Sequence, residues 1–425
     1  MEDSIKEKKY NKKLGKKLIL QGLLIVPPTF CFYLVSMNSH ELIIKPLAIV
    51  LLVLMVFSFL LLIDGIINVL KDKTKSKIKM KKPLKIFLII FFSLYIGLSS
   101  AFMCLLYIPG SPFKDWLVTT AMTTQHHTYF ARWFYNENEI DRSLAKNIVL
   151  ESGATTNPDL IDFKEPEFNK KIYENEYERQ VLTKDEGNDL YKIIDIKYDG
   201  VIGKMAVIYD ASKVIVGLSD HMGTNVDTNY GEFVYPPPPQ YDAVIGTNAS
   251  GFIDPNWNSM GGVPYGIVIS QGKLVANNQK ANRGGGIVGF NKDNVLVLDR
   301  MTAQQALDAG IRDAVEYGPF LIVNGESSYI KGNGGWGYAP RTVIGQRKDG
   351  IVLLLVVDGR QKATMGADMN QLARIMWNYG AYNAANMDGG TSSSMVLNNK
   401  IITNPVNGNW EPYTRAVPNA WLVLK

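Results

Sequence analysis

Residues Tyr382 to Leu397 read Y-N-A-A-N-M-D-G-G-T-S-S-S-M-V-L, and the rest of the chain can be ordered around them. Small and apolar residues run into a single acid, Asp388. Gly389 and Gly390 follow, then the hydroxyl residues Thr391 to Ser394, then the apolar Met395-Val396-Leu397. Glycines at that point permit positive φ and let backbone N–H groups come close to a ligand. A carboxylate beside a Gly-Gly turn lined with hydroxyls suits a polar, oxygen-rich substrate. The bland alternative is a hairpin turn, for which Asp-Gly is a strong signal. Four hydroxyl residues in a row are unusual for a hairpin and favour a site.

Outward from that stretch, short apolar runs alternate with turns. They are Met205–Tyr209, Val214–Leu218, Ala243–Gly246, Gly266–Ser270, Lys273–Ala276, Val295–Leu298, Phe320–Val323 and Ile351–Val357. Gln271-Gly272 and Lys348-Asp349-Gly350 read as hairpin connections. Two helices interrupt the strands. The first starts at Thr302 with Gln305 in the capping-box position, and its apolar face is expected to carry Leu307, Ile311, Ala314 and Val315. The second starts near Asp368 with Gln371 in the same position, buries Met369, Leu372, Ile375 and Met376, and ends at Gly380. Many strands with few helices define an α+β domain. Pro236–Pro239 reads as a stiff spacer in a loop.

The amino-terminal part differs in kind. Before Pro109 there are sixteen lysines against six acids, whereas the remainder is net negative. The overall charge of +5 therefore pools two unlike halves and gives no support to nucleic-acid binding by the larger one. Three apolar runs, about Leu18–Met37, Leu47–Leu70 and Ile86–Ile108, approach or exceed the ~20 residues a helix needs to cross a bilayer. Seven lysines precede the first run, eight lie between the second and third, and the loop between the first and second has only Lys45. The positive-inside rule then places the N-terminus in the cytoplasm and everything after Pro109 outside the cell. Both cysteines, Cys31 and Cys104, lie in apolar runs, so the outer part has no disulfide. That usage fits a surface protein of a Gram-positive bacterium. The expected organisation is a membrane region at 1–108 with three transmembrane helices, a stalk or connector at 109–199, and a β-rich extracellular domain at 200–425. The stalk is expected to open with a short interfacial helix around Trp116–Met122, near the aromatics Tyr129, Phe130, Trp133, Phe134 and Tyr135. The lipid bilayer is thus one expected partner.

Several chemistries can be set aside. His221 is the only histidine after the adjacent pair His126-His127, which excludes a multi-histidine zinc site in the outer domain. No phosphate loop and no dinucleotide fingerprint occur. The cofactor is left unknown: an acid-rich rim could hold a divalent cation such as Ca²⁺, but no twelve-residue calcium loop is encoded, and no metal ligand is assigned. What remains are carboxylates, arginines and amides at strand ends beside glycine. Asp358-Gly359-Arg360 ends Ile351–Val357, Asp388-Gly389-Gly390 ends the strand from Ala384, Arg341-Thr342 opens another, and Asn248 follows Ala243–Gly246. Such residues can be displayed on one rim.

Taken in order, these pieces resemble the phosphodiester glycosidases, the group that includes the enzyme uncovering mannose 6-phosphate by removing N-acetylglucosamine. The matching residues are Asn248–Phe252, Gly318-Pro319 with Asn324-Gly325, Arg341–Gly345, Val357–Arg360, Gly366 with Leu372-Ala373, Asn386–Ser394, and the closing Arg415-Ala-Val417-Pro418, over about Val201–Leu424. The chain departs from the family in having Asn248-Ala-Ser-Gly-Phe252 for N-G-G-F-F, Thr391 for a glycine, and Thr414 for a glutamate.

The resemblance implies a glycosidase acting on a sugar-1-phosphodiester of cell-surface glycans, glycopolymers or exopolysaccharide. The leaving phosphate is a weak base, so neutralising its charge helps more than protonating it, which favours arginine and backbone N–H donors. A carboxylate must still activate water or stabilise the oxocarbenium-like centre. Asp388 is assigned that role, most simply as base. Arg341 is the expected phosphate clamp, with Arg360 second. Asp358 joins the catalytic set, with an ion pair to Arg360 as its structural alternative. Asn248, Thr342, Gly389, Gly390, Thr391 and Ser392 would line the sugar or phosphate oxygens. Two other readings stay open: a non-catalytic glycan-binding or export-associated surface module, for which Trp257, Trp336 and Trp410 are candidate platforms, and a glycosidase for glycans without phosphate.

Overall fold

The computed structural model describes residues 105–107, 112–123, 128–220, 222, 241–254, 261–278, 284–407 and 410–425, with Lys16 and Ile19 as separate helical positions. Beyond Ile19 and 105–107, the three apolar runs lie outside the described residues, as do His126-His127, His221, Pro236–Pro239 and Trp257. Among the described residues no helix is long and apolar enough to cross a membrane. The chain divides into two compact units, Met1–Ala145 and Lys146–Lys425.

In the first unit the helices Pro112–Thr123 and Thr128–Phe134 are followed by Glu137–Lys146, so the helix expected around Trp116 is present. Leu106, Val118, Ala121, Ala131, Tyr135 and Ile140 form a buried cluster. The Tyr135 hydroxyl, buried with them, donates to the Leu106 carbonyl at 2.9 Å, as a phenol placed in an apolar cluster must.

Among the described residues the second unit is built on three large antiparallel sheets and one two-stranded sheet. The largest has seven strands in the order Glu326–Ser327, Phe320–Val323, Ala381–Asn386, Arg341–Arg347, Val352–Val357, Val201–Ile208 and Tyr191–Tyr198. The second runs Lys400–Ile401, Met395–Leu397, Ala243–Asn248, Asn419–Leu424, Val214–Leu218, and the third Lys273–Asn277, Ile267–Ser270, Ile311–Tyr317, Gly286–Asn291, Leu296–Asp299. Every residue of Val352–Val357 is buried, because the large sheet is covered on both faces. Side chains alternate along a strand: Val352, Leu354 and Val356 join the main core with Val216, Phe290, Val315 and Trp421 from the other sheets. Leu353, Leu355 and Val357 instead meet Leu372, Ile375 and Met376 of the helix Met369–Asn378. The uninterrupted apolar run at Ile351–Val357 is thus the signature of a strand with no solvent face.

Helix Met369–Asn378 has the expected Asp368–Gln371 capping box and the expected buried face. The first capping box, Thr302 with Gln305, also forms, but its helix is only Ala303–Asp308. Gly310 adopts φ +72° and Ile311–Tyr317 is a strand central to the third sheet. The helical spacing of Ile311, Ala314 and Val315 is fortuitous, since β-branched residues with near-alternating burial fit a pleat equally well.

A second difference concerns the boundary at residue 200. Tyr191–Tyr198 pairs along its whole length with Val201–Ile208 through Asp199-Gly200, both at positive φ (45° and 77°), as a two-residue primed turn requires. Helix Glu176–Leu182, capped by Asn175, buries Val181 and Leu182 in the same unit. Strand Ile148–Leu150 pairs with Tyr329–Lys331. Residues 146–199, expected as part of the connector at 109–199, therefore lie in the same compact unit as the β-rich strands, and Val181, Leu182, Ile194 and Ile196 are buried in its core.

Candidate active site

Antiparallel register brings the singled-out strand ends to one rim. Arg341 stands opposite Val357, the residue before Asp358, and Val343 stands opposite Asn386, two residues before Asp388. In the second sheet Thr247 pairs with Met395, so Asn248 leaves its strand beside the Thr391–Ser394 run.

The Asp388 turn is fixed from below. The Met387 amide donates to the Thr342 carbonyl (2.8 Å), the Asp388 amide to Ala249 (3.1 Å), and the Gly390 amide to Pro340 (2.8 Å). Asn248 is fully buried. Its Nδ2 donates to the Asp388 carbonyl at 2.7 Å, and its Oδ1 accepts from the Thr342 hydroxyl (2.7 Å) and the Ser394 amide (3.3 Å). Asn248 and Thr342, two of the expected substrate-lining residues, hold the turn that carries Asp388. Gly390 sits at φ +65° and opens a single three-ten turn, Gly390–Ser392. Ser392 is buried within it, while Gly389, Gly390 and Thr391 stay half-exposed.

The Asp388 side chain is half-buried, and its Oδ1 accepts a 3.0 Å hydrogen bond from the Tyr317 hydroxyl. Among the described residues Oδ2 has no protein donor. Tyr317 was missed by the sequence reading. The signal was its place just before the Gly318-Pro319 motif, hidden by extending the Thr302 helix across what is a strand.

The two arginines differ. Arg341 is buried. Its Nε donates to the Ala367 carbonyl (3.3 Å), its Nη2 to the carbonyls of Gly337 (3.0 Å) and Trp336, and its guanidinium lies 5.6 Å from the Trp336 ring centre. It runs under the turn, since a Cβ at Gly389 would lie 3.5 Å from its Cδ. Arg360 adopts φ +56°, which turns its side chain towards the glycines. Its Nη1 donates to the Thr391 hydroxyl at 3.1 Å, and a Cβ at Gly390 would lie 3.2 Å from its Nη2. Among the described residues it has no carboxylate partner, and burial pulls its pKa below the ordinary guanidinium value.

Asp358 is on the same rim but is directed away. It is buried, its Oδ1 accepting from the Asn404 amide (2.8 Å) and its Oδ2 from the Asn404 side chain (3.0 Å). The Asp358–Arg360 ion pair considered as its alternative does not form. The closing motif braces the Asn248 loop: Arg415 pairs with Asp254 and lies 4.5 Å from the Phe252 ring centre, while Asn419 and Ser250 exchange two hydrogen bonds at 2.8 and 2.9 Å. Among the described residues no cluster of three or more His, Cys, Asp or Glu side chains is placed to hold a metal ion.

A carboxylate and a desolvated guanidinium flanking one glycine turn, with a hydroxyl between them, form an arrangement suited to a substrate that is both sugar and anion. Residues 241–424 match the family model described as phosphodiester glycosidase, so the resemblance read from the motifs holds over this stretch, although the match starts later than Val201. The prophage-derived protein YomE of Bacillus subtilis (strain 168) is 29% identical over 208 residues, 47% of this chain and 31% of its own length. The N-acetylglucosamine-1-phosphodiester alpha-N-acetylglucosaminidase of Bos taurus is 24% identical over 155 residues, 32% of this chain and 29% of its own. The chain thus spans about a third of the length of the curated relatives it matches. Among solved structures, the zebrafish form of that enzyme, its catalytic domain auto-inhibited by a pro-peptide, is 23% identical with a TM-score of 0.47, covering 57% of this chain and 86% of that one.

Proposed function

We propose that this chain is a membrane-anchored extracellular hydrolase that cleaves the glycosidic bond of a sugar-1-phosphodiester in cell-surface glycans or glycopolymers. The observation that carries the reading is Arg360, a partly desolvated cation with no acidic partner among the described residues, beside the Gly389-Gly390 turn that presents Asp388. A guanidinium removed from water at a cost, and not spent on a carboxylate, is suited to a ligand anion. A phosphodiester oxygen would take Arg360 and the Thr391 hydroxyl hydrogen, because Thr391 already accepts from Arg360. Asp388 would face the anomeric carbon, activating water or stabilising positive charge there. Arg341 would act from beneath as a support for the turn. The apolar runs and lysine clusters before Pro109 support the anchor and the outward orientation.

The test uses the full-length chain in membranes, incubated with a panel of sugar-1-phosphodiesters and with neutral glycosides of the same sugars. Release of free sugar and a phosphomonoester from the phosphodiesters, faster than from the neutral glycosides, is the expected result. Binding without turnover of any member would contradict it and favour a glycan-binding module.

A further inference from the structure

We propose that Tyr317 is the positioning residue for the Asp388 carboxylate, holding Oδ1 so that Oδ2 faces the substrate, and that Gly251 exists to let it reach that place. This rests on the reading of Asp388 as the reacting carboxylate. An aspartate on a turn followed by two glycines has little to fix its terminal torsion, which is broad even within a rotamer. The phenol supplies the constraint, by a hydrogen bond to a charged acceptor.

Tyr317 is itself rigid. It is buried, it ends the strand Ile311–Tyr317, and its backbone pairs with Gly286. Its ring lies across Gly251, where a Cβ would come within 2.8 Å of ring carbon Cε2 and 3.5 Å of the phenol oxygen. Carbon atoms do not approach so closely without displacement, so a side chain at 251 forces the Tyr317 ring or the backbone beneath it to shift. Among the described residues, two arginines are recorded against the turn: Arg341, which runs beneath Gly389 and donates to backbone carbonyls, and Arg360, which donates to Thr391. Neither arginine duplicates the contact to Oδ1 recorded for Tyr317. The arrangement also gives the third sheet a part in the site. The large sheet supplies the carboxylate, and the third supplies the group that aims it.

Tyr317→Phe keeps the ring and removes only the hydroxyl. On the full-length chain we expect kcat to fall ~10- to 100-fold, the scale of one hydrogen bond to a charged group, with KM and the unfolding temperature unchanged. In an Asp388→Asn background the same change should have no further effect, because the two act as one unit. Gly251→Ala should reproduce most of the kcat loss, and combining it with Tyr317→Phe should add nothing. Undiminished kcat in Tyr317→Phe, or an equal fold-loss in the Asp388→Asn background, would overturn the proposal while leaving the site assignment intact. Failure of the unmutated chain to turn over any glycosyl phosphodiester would overturn the site assignment and this inference with it.

Discussion

Two turns on the same rim share a sequence pattern and differ in use. Val357-Asp358-Gly359-Arg360 and Met387-Asp388-Gly389-Gly390 both place an Asp-Gly pair after a strand of the large sheet. Asp358 is buried and gives both oxygens to Asn404. Asp388 is half-exposed and gives one oxygen to Tyr317. The second halves are reversed: Arg360 leans over to the Asp388 turn, while Gly389 and Gly390 make room for Arg360 and Arg341. The first turn thus places a cation beside the glycines of the second, which carries the acid. What distinguishes the two aspartates is not their own neighbours in sequence but what stands opposite each, an amide in one case and a phenol in the other.

Breaking the second turn should have the largest effect. Asp388→Asn keeps size and most hydrogen bonding and removes the charge, so turnover should fall ~10²–10⁴-fold with fold and substrate affinity kept. Unchanged turnover would remove Asp388 from the chemistry. Arg341→Lys comes next, and its effect should be on stability. Lysine cannot reproduce the fork that serves the carbonyls of Trp336, Gly337 and Ala367, and leaving buried acceptors unmet costs ~1–3 kcal/mol, measurable as a lowered unfolding temperature. A selective loss on charged substrates with no loss of stability would instead make Arg341 the clamp. Asp358→Asn should cost about 1 kcal/mol through its weakened hold on Asn404 and change turnover less than ~3-fold. A collapse of turnover there would put both carboxylates in the chemistry.

The smallest effect concerns Asp368, the helix cap behind the rim. Burial raises its pKa above the ordinary carboxyl value of 3.8. The folded state therefore binds its proton more tightly than the unfolded one, and the carboxylate's contribution to stability falls as pH rises from near 3.8 through the raised folded value. Asp368→Asn keeps a good cap and removes the titration. Relative to the original, its unfolding temperature should rise as pH goes from about 4 to about 7; a constant difference would show that the burial of Asp368 has no energetic consequence.

Most of the strand pattern could be read directly, because apolar runs such as Phe320–Val323 and Met395–Leu397 are bounded by glycine or polar turns and match the observed strands residue for residue. Both capping boxes could be read for a similar reason: the cap is a local hydrogen-bond pattern encoded within four consecutive positions. The helix expected through Val315 failed because its periodicity also suits a strand and one glycine decided between them. The strand Tyr191–Tyr198 was passed over because its surroundings are charged, although Asp199-Gly200 marks its turn. At the site, the strand ends that share the rim could be read from the sequence, but the contacts each residue makes there could not. Which arginine is tied to carbonyls, and which asparagine supports a turn, depends on contacts such as Asn248 with Asp388, 140 residues apart. Tyr317 belongs to a different sheet from Asp388, and only the packing of the two sheets brings them together.

The central claim is that Arg360 and Asp388 together make a site for a sugar carrying a phosphodiester. Its most direct test is Arg360→Gln, measured on a sugar-1-phosphodiester and on the same sugar with a good neutral leaving group. We predict that kcat/KM falls ~10²–10³-fold on the phosphodiester and less than ~5-fold on the neutral substrate, because the guanidinium acts on charge that only the first one carries. Equal losses on the two substrates, or none on the phosphodiester, would contradict the account.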